Sequence, residues 1–364
     1  WGGFQDIQEQ LTGQGYKTLT AAVGPFSSNW DRAAELYAQI AGGTVDYGAA
    51  HSAKHGHARF GRTFPGLYRE WGSADPATGQ PRKVHLVAHS QGGQTARVLA
   101  QLLAEGSAAE RAATPAAQLS PLFSATRKNW VHSVTTIASP HDGTTLAIGV
   151  TTFIPMAQQL IAFVAASAGA GGVNLYDFKL DQFGLKRNAG ESFDSYSSRV
   201  WASSIWTNTK DISAWDLSPD GAKELNAWVK AQPDVFYFSW SNDKSFEGWL
   251  SGHHYPEPLS NPLFIPTITF MGAYTRNQSG KVVIDSSWFA NDGVVNTISM
   301  NGPKLGSTDR IISFNGSGTP QKGVWNHRGF LDSYDHADVI GIGLHHNVDG
   351  WYRDLAVSLG KLPK

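Results

Sequence analysis

The stretch Val84-His85-Leu86-Val87-Ala88-His89-Ser90-Gln91-Gly92-Gly93 constrains the fold most. Val84–Val87 is a short, largely apolar run that reads as a buried strand, and Gly92-Gly93 opens a helical run through Leu103. A strand that passes straight into a helix must turn sharply, so small residues are needed where the two elements cross. Ala88 and Gly92 supply that room two positions before and after Ser90. The pattern fits the G-x-S-x-G elbow with Ala in place of the first Gly, a turn that would lift the Ser90 hydroxyl clear of a sheet. The Gln91 N–H, at the start of the helix, would be aimed at the same point. The plainer alternative is a serine that merely caps a helix.

Length and charge narrow the field. At 364 residues the chain is long for one domain, but a single α/β domain with insertions reaches this size. Its 29 basic and 30 acidic residues, without a basic run, leave no electrostatic footprint for a nucleic-acid backbone. The longest apolar segment, Phe153–Ala168, is broken by Pro155 and two glutamines and falls short of a membrane span. Cysteine is absent, which excludes disulfides and thiol catalysis.

Along the chain, strands are expected at Lys17–Val23, Ser133–Ala138, Asp234–Trp240 and Ile265–Met271, and amphipathic helices at Asn29–Ile40 and Val348–Lys361. Strands alternating with helices imply a mostly parallel sheet covered on both faces, within a single domain over residues 1–364. Two insertions stand out. Asp46–His57 is rich in Ala, Gly and His and unlike core. The segment 150–172 pairs an apolar-faced helix, with Phe153, Ile154, Met156, Leu160, Ile161, Phe163 and Val164, with a Gly169–Gly172 hinge. It reads as a lid or as a buried core helix.

A nucleophilic Ser90 needs a histidine base and a carboxylate to orient it, arriving in the order acid then histidine. His253, His254, His327, His336, His345 and His346 all lie well C-terminal to Ser90. His336 sits in the polar loop Ser333–Asp338 ahead of an apolar run and the last helix, which suits a base carried on a loop. Asp292, in the Asn291-Asp292-Gly293 turn, is the best-placed acid. An ordinary turn and a solvated Asp335-His336 pair explain the same residues. Among the earlier histidines, His51 and His55 at helical spacing make as good a metal-binding pair as any other.

Several longer motifs occur together: Ala88-His89-Ser90-Gln91-Gly92-Gly93, Ser28-Asn29-Trp30-Asp31-Arg32-Ala33, Lys54–Arg62, Thr136–Thr144, Asn291–Asn296 and Ser299–Pro303. With them the chain resembles the thermoalkalophilic bacterial lipases, the Geobacillus and staphylococcal family of secreted triacylglycerol lipases with an α/β-hydrolase fold. The resemblance implies Ser90 as nucleophile, Asp292 as acid, His336 as base and the Gln91 amide as an oxyanion donor. It also implies a structural zinc ion held by Asp31, His51, His57 and Asp216, a closed tetrahedral shell. A calcium ion beside the histidine loop would draw on Asp338 and a carbonyl near Leu259. The chain reads Ile342-Gly343-Leu344 where the family has an Asp followed by Pro, so a weak calcium site or none is expected. Relatives also carry a buried strand and a His-Gly-Phe segment, source of the second oxyanion donor, ahead of the position matching Trp1. The expectation is therefore a piece of a longer secreted enzyme acting at an oil–water interface. A carboxylesterase for short soluble esters and an inactive lipid-binding relative are the competing readings.

Overall fold

The computed structural model describes residues 6–149, 151, 153–158, 161, 176–343 and 347–363. Its strands, in chain order, are β1 (Gly43–Asp46), β2 (Phe60–Phe64), β3 (Val84–His89), β4 (Val131–Ile137), β5 (Phe236–Asp243), β6 (Ser245–Glu247), β7 (His254–Pro256), β8 (Ile311–Ser313) and β9 (Trp325–Asp332). Five form the central sheet in the order β3-β4-β5-β9-β8, with every neighbouring pair parallel. Parallel neighbours require crossovers, and helices fill those from β3 to β4 and from β4 to β5, whereas the segment between β8 and β9 holds none. On one face, α2 (Asn29–Ala41), α4 (Gln91–Glu105) and the Pro219–Trp228 helix bury Ala33, Leu99, Leu102 and Leu225 with Val134 and Tyr237 of the sheet. On the other, Ile7 and Leu11 of α1 (Ile7–Gly13) and Tyr352 of the closing helix Asp349–Gly360 pack with Ile137. An aromatic-rich third cluster, including Phe26, Phe153, Phe178 and Trp206, adjoins Ala138 just past the end of β4.

The α/β architecture agrees with the sequence, and several local expectations are corrected. Ile265–Met271 is a helix, not a strand: Pro266 is tolerated in its first turn, and Ile268 and Met271, one helical turn apart, are fully buried while Ile265 and Phe270 stay partly exposed. Lys17–Val23 forms no strand among the described residues. β3 is half-buried rather than buried, because it lies at one edge of the described sheet, whereas β4 beside it is buried almost throughout. The Asp46–His57 insertion contains a short helix, α3 (Ala49–His55), and follows β1, which pairs antiparallel with β2. In the lid segment, residues 153–158 are helical. Positions 150, 152, 159–160 and 162–168, the Gly169–Gly172 hinge, and His345 and His346 lie outside the described residues.

The first turn of α4 packs tightly against the end of β4. A Cβ on Gly93 would lie 2.2 Å from Ser139 Oγ and 2.8 Å from Thr136 Cγ2. Both neighbours are fully buried and have nowhere to retreat. Gly93→Ala is therefore expected to lower unfolding free energy by about 1–3 kcal/mol. Denaturant titration followed by circular dichroism measures this, and an unchanged midpoint would contradict the packing argument.

Candidate active site and metal centre

β3 delivers the chain to Ser90 and α4 carries it away. Ser90 takes φ 56° and ψ −136°, a conformation that a non-glycine residue holds only when its surroundings impose it. They do so here: the Ser90 N–H donates to the Ile137 carbonyl at 3.0 Å, and the Ser90 carbonyl accepts from Gly93 N–H at 3.0 Å. A Cβ on Gly92 would touch Ala88 Cβ at an ordinary 3.4 Å, so the glycine that the crossing requires most is Gly93. Gln91 opens α4, so its N–H belongs to the first turn, whose donors have no intrahelical partner.

Asp292 and His336, 44 residues apart, are joined twice. His336 Nδ1 lies 2.8 Å from Asp292 Oδ2, and the His336 backbone N–H donates to the Asp292 carbonyl at 3.0 Å. The second carboxylate oxygen accepts from Val294 N–H at 3.0 Å and Val295 N–H at 2.8 Å, which fixes the acid's orientation. Gly293 allows that tight turn with φ 93°, and a Cβ there would sit 2.7 Å from Phe264 Cβ. With Nδ1 turned to the carboxylate, the imidazole presents Nε2 as its acceptor. His89, the residue before Ser90, brings this pair to the elbow: its ring centre is 4.4 Å from that of His336, and its Nε2 donates to the His336 carbonyl at 2.8 Å. Burial, then the neighbouring His336 charge, pushes the His89 pKa well down and keeps that ring neutral.

Ser90 and Gln91 open into a cavity of about 240 Å³, walled largely by apolar side chains that include Phe26, Phe153, Met156 and Val294. Phe153, Met156 and Ile161 of the expected lid are buried and line the same cavity as Ser90.

A second polar cluster lies beside this frame. His51 Nε2 is 3.2 Å from Asp31 Oδ1 and 3.0 Å from Asp211 Oδ1, and His57 Nε2 is 2.9 Å from Asp211 Oδ2. One ligand atom from each of these four residues lies within 4.8 Å of the others. Asp31 Oδ1, His51 Nε2, His57 Nε2 and Asp211 Oδ2 are buried without hydrogen-bond partners, as lone pairs aimed at a shared cation would be. His57 Nδ1 donates to the Ala58 carbonyl at 2.9 Å, which leaves Nε2 free to coordinate. Complete burial, then the Asp211 charge, pushes the Asp31 carboxyl up from its usual range, and a cation between the two facing carboxylates would relieve both causes. The residues therefore fit a divalent metal.

The fourth member corrects the sequence expectation: Asp211 takes the place assigned to Asp216. Ile212 bridges to Ser27, and Ser213 N–H donates to the Phe26 carbonyl, which pins Asp211 beside the start of α2. Asp216 lies further along and its Oδ2 instead accepts the Asn29 N–H at 2.5 Å, at the start of α2. Burial, opposed by that hydrogen bond, raises its pKa to about 7. The calcium expectation also meets different surroundings. Asp338 Oδ2 accepts from Asp335 N–H at 2.8 Å, and Leu259 is largely exposed in a turn with φ 66°.

Metal analysis of the purified chain should find about one divalent ion per molecule. Asp211→Asn is expected to lose it and to melt several degrees lower, as wild type should after chelation, whereas Asp216→Asn should retain the ion. Elemental analysis with thermal melts checks this, and the reverse order of the two variants would restore Asp216 as the ligand.

Comparisons with known proteins identify the family. The family model described as "Lipase-like, C-terminal domain" matches residues 1–350. Lipase 1 of Staphylococcus aureus is 36% identical over 348 residues, 94% of this chain but 47% of that protein, so the chain spans about half the length of such curated relatives. The solved structure of lipase 1 from Pelosinus fermentans superposes with a TM-score of 0.92 at 54% identity, covering 100% of this chain and 94% of that one. EstA from Clostridium botulinum gives a TM-score of 0.92 at 48% identity, covering 100% of this chain and 82% of that one. A family match over nearly the whole length, on a fold that brings the elbow, the histidine loop and the buried His/Asp cluster together, makes this chain a member of the bacterial lipase family.

Proposed function

We propose that this chain is a serine ester hydrolase of the triacylglycerol lipase type, working through Ser90, His336 and Asp292. The observation that carries the reading is the doubly bonded Asp292–His336 pair, delivered by His89 to the residue next to it, Ser90, at the floor of an apolar cavity. Ser90 Oγ attacks the ester carbonyl while His336 Nε2 takes its proton, and Asp292 stabilises the imidazolium through Nδ1. The carbonyl oxygen becomes an oxyanion that accepts from the Gln91 N–H. Collapse releases the alcohol, protonated by His336, and leaves an acyl-serine. Water, deprotonated in turn by His336, then frees the carboxylic acid and restores Ser90.

The apolar wall suits an acyl chain, and the lid residues within it favour a lipase over an esterase for soluble substrates. The closed set of two carboxylates and two imidazoles suits a structural zinc ion with no position left for a reacting water. Held there, zinc would supply cross-linking and charge neutralisation, and the ester chemistry would belong to the triad. The family resemblance supports a secreted enzyme. No helix among the described residues is long and apolar enough to cross a membrane.

Ser90→Ala and His336→Ala should each reduce turnover of a p-nitrophenyl ester by about 10⁴–10⁶-fold, and Asp292→Asn by about 10⁴-fold. A serine-directed phosphonate should label Ser90 in wild type alone. Lipid binding without labelling would turn the assignment toward an inactive binding protein. Rates that do not rise when the substrate passes its solubility limit would favour the carboxylesterase.

A further inference from the structure

The base sits on a loop, and its aim is only as good as the loop's anchorage. Within the loop, Asp335 Oδ1 accepts from Ala337 and Asp338 N–H, and Asp338 Oδ2 accepts from Asp335 N–H. These bonds shape the loop from within. Its middle is tied to the fold at His336 by Asp292 and His89, and at the Asp335 carbonyl by Asn242 Nδ2 at 3.2 Å. Lys244, the residue after β5, holds its start. It is only 7% exposed, and its Nζ donates to the Ser333 carbonyl at 2.8 Å while lying 3.6 Å from Glu257 Oε2. Its backbone is held at the same junction: the Lys244 N–H donates to the Asn291 carbonyl at 3.0 Å, and its carbonyl accepts from Glu257 N–H at 3.2 Å. One residue thus touches the turn that carries Asp292, the start of the loop that carries His336, and the Glu257–Ser260 turn.

Two of those segments are the ones from which calcium ligands were expected, Asp338 and the carbonyls around Leu259. The fit to calcium is poor. Position 343 is a glycine with no side-chain oxygen, and its backbone packs so closely that a Cβ would lie 1.6 Å from Asp338 Oδ1. The other Asp338 oxygen is already engaged by Asp335 N–H. A shell of six to eight oxygens is not assembled from these groups. A cation of another kind spans the same two segments. Burying an ammonium is unfavourable unless its partners repay it, and here they are a carbonyl on the histidine loop and a carboxylate on the facing turn.

We propose that Lys244 is a positioning residue for His336, its ammonium fastening the histidine loop to the Glu257 turn in place of a bound divalent cation. The proposal rests on His336 acting as the base. Lys244→Met should lower kcat on a soluble ester by about ten- to a hundredfold with KM little changed, the pattern of a misaimed catalytic group in a site that still binds. Lys244→Arg, which keeps a buried cation, should recover much of that loss. Wild type should be indifferent to added calcium and to a calcium-selective chelator. Amide hydrogen exchange gives a readout independent of turnover: Lys244→Met should lose protection at the His336 N–H while the amides of β4 and β5 stay protected. Unaltered kcat and His336 protection in Lys244→Met would overturn the proposal, as would calcium stimulation of the wild type. A wild type without esterase turnover would refute the functional reading, and the exchange experiment would still decide whether Lys244 holds the loop. Were Lys244→Met not to fold, the arginine variant and the calcium titration of wild type would decide it.

Discussion

A single backbone hydrogen bond fixes where the parallel pairing of β3 and β4 stops, from the Ser90 N–H to the Ile137 carbonyl. Up to His89 the chain has a partner at every step, and one residue later it must leave the sheet and enter α4. The strained Ser90 backbone is the price of that exit. The packing of Gly93 against Ser139 and Thr136 holds the helix close enough to keep the turn strained. The side chain that results is not free to choose its direction, as the nucleophilic role proposed for it requires.

The other parts are tied to that exit by short polar bonds between distant segments. His89 holds the His336 carbonyl, Asp292 holds the imidazole, and Val294 and Val295 hold Asp292 while also lining the cavity. The Asp292 carboxylate, the His336 imidazole and one wall of the cavity are therefore parts of one hydrogen-bonded corner. The His/Asp cluster does comparable work for the opposite wall. Asp31 lies in the first turn of α2, a few residues after Pro25 and Phe26 of the cavity lining. The helix is thereby anchored to the α3 insertion, which has little apolar surface of its own to bury.

Much of this was legible in the sequence, because the signals were local. Val84–Gly93 carries strand, turn and helix in ten consecutive residues, and Asn291-Asp292-Gly293 and Asp335-His336 mark loops at which polar groups gather. Spacing alone left His51 with His55 as good a metal pair as any, and Asp31, His51 and His57 came only from the family resemblance. Asp211 and Asp216 lie in one short polar segment, and what separates them is the bridge from Ile212 to Ser27, a tertiary contact that no local pattern encodes. Ile265–Met271 failed for another reason. Its β-branched and aromatic residues suit a strand, but the burial of Ile268 and Met271 on one face rewards a helix, and tertiary packing prevailed. Lys244 carried no signal at all, since a lysine just past a strand is ordinarily solvated and only the fold encloses this one.

The sequence spacing of the His/Asp cluster governs when it can form. Asp31, the histidines of the α3 insertion and Asp211 come from three separate stretches, and the last arrives only after β3, α4 and β4 have been laid down between them. Bringing such distant stretches together carries a loop-closure entropy that local helices do not. An ion able to bind all four groups therefore recognises a late, nearly assembled chain and has little hold on an early one. By mass action, the free concentration of such an ion would shift the balance between assembled and unfolded chains, so part of the fold's stability would belong to the medium around it.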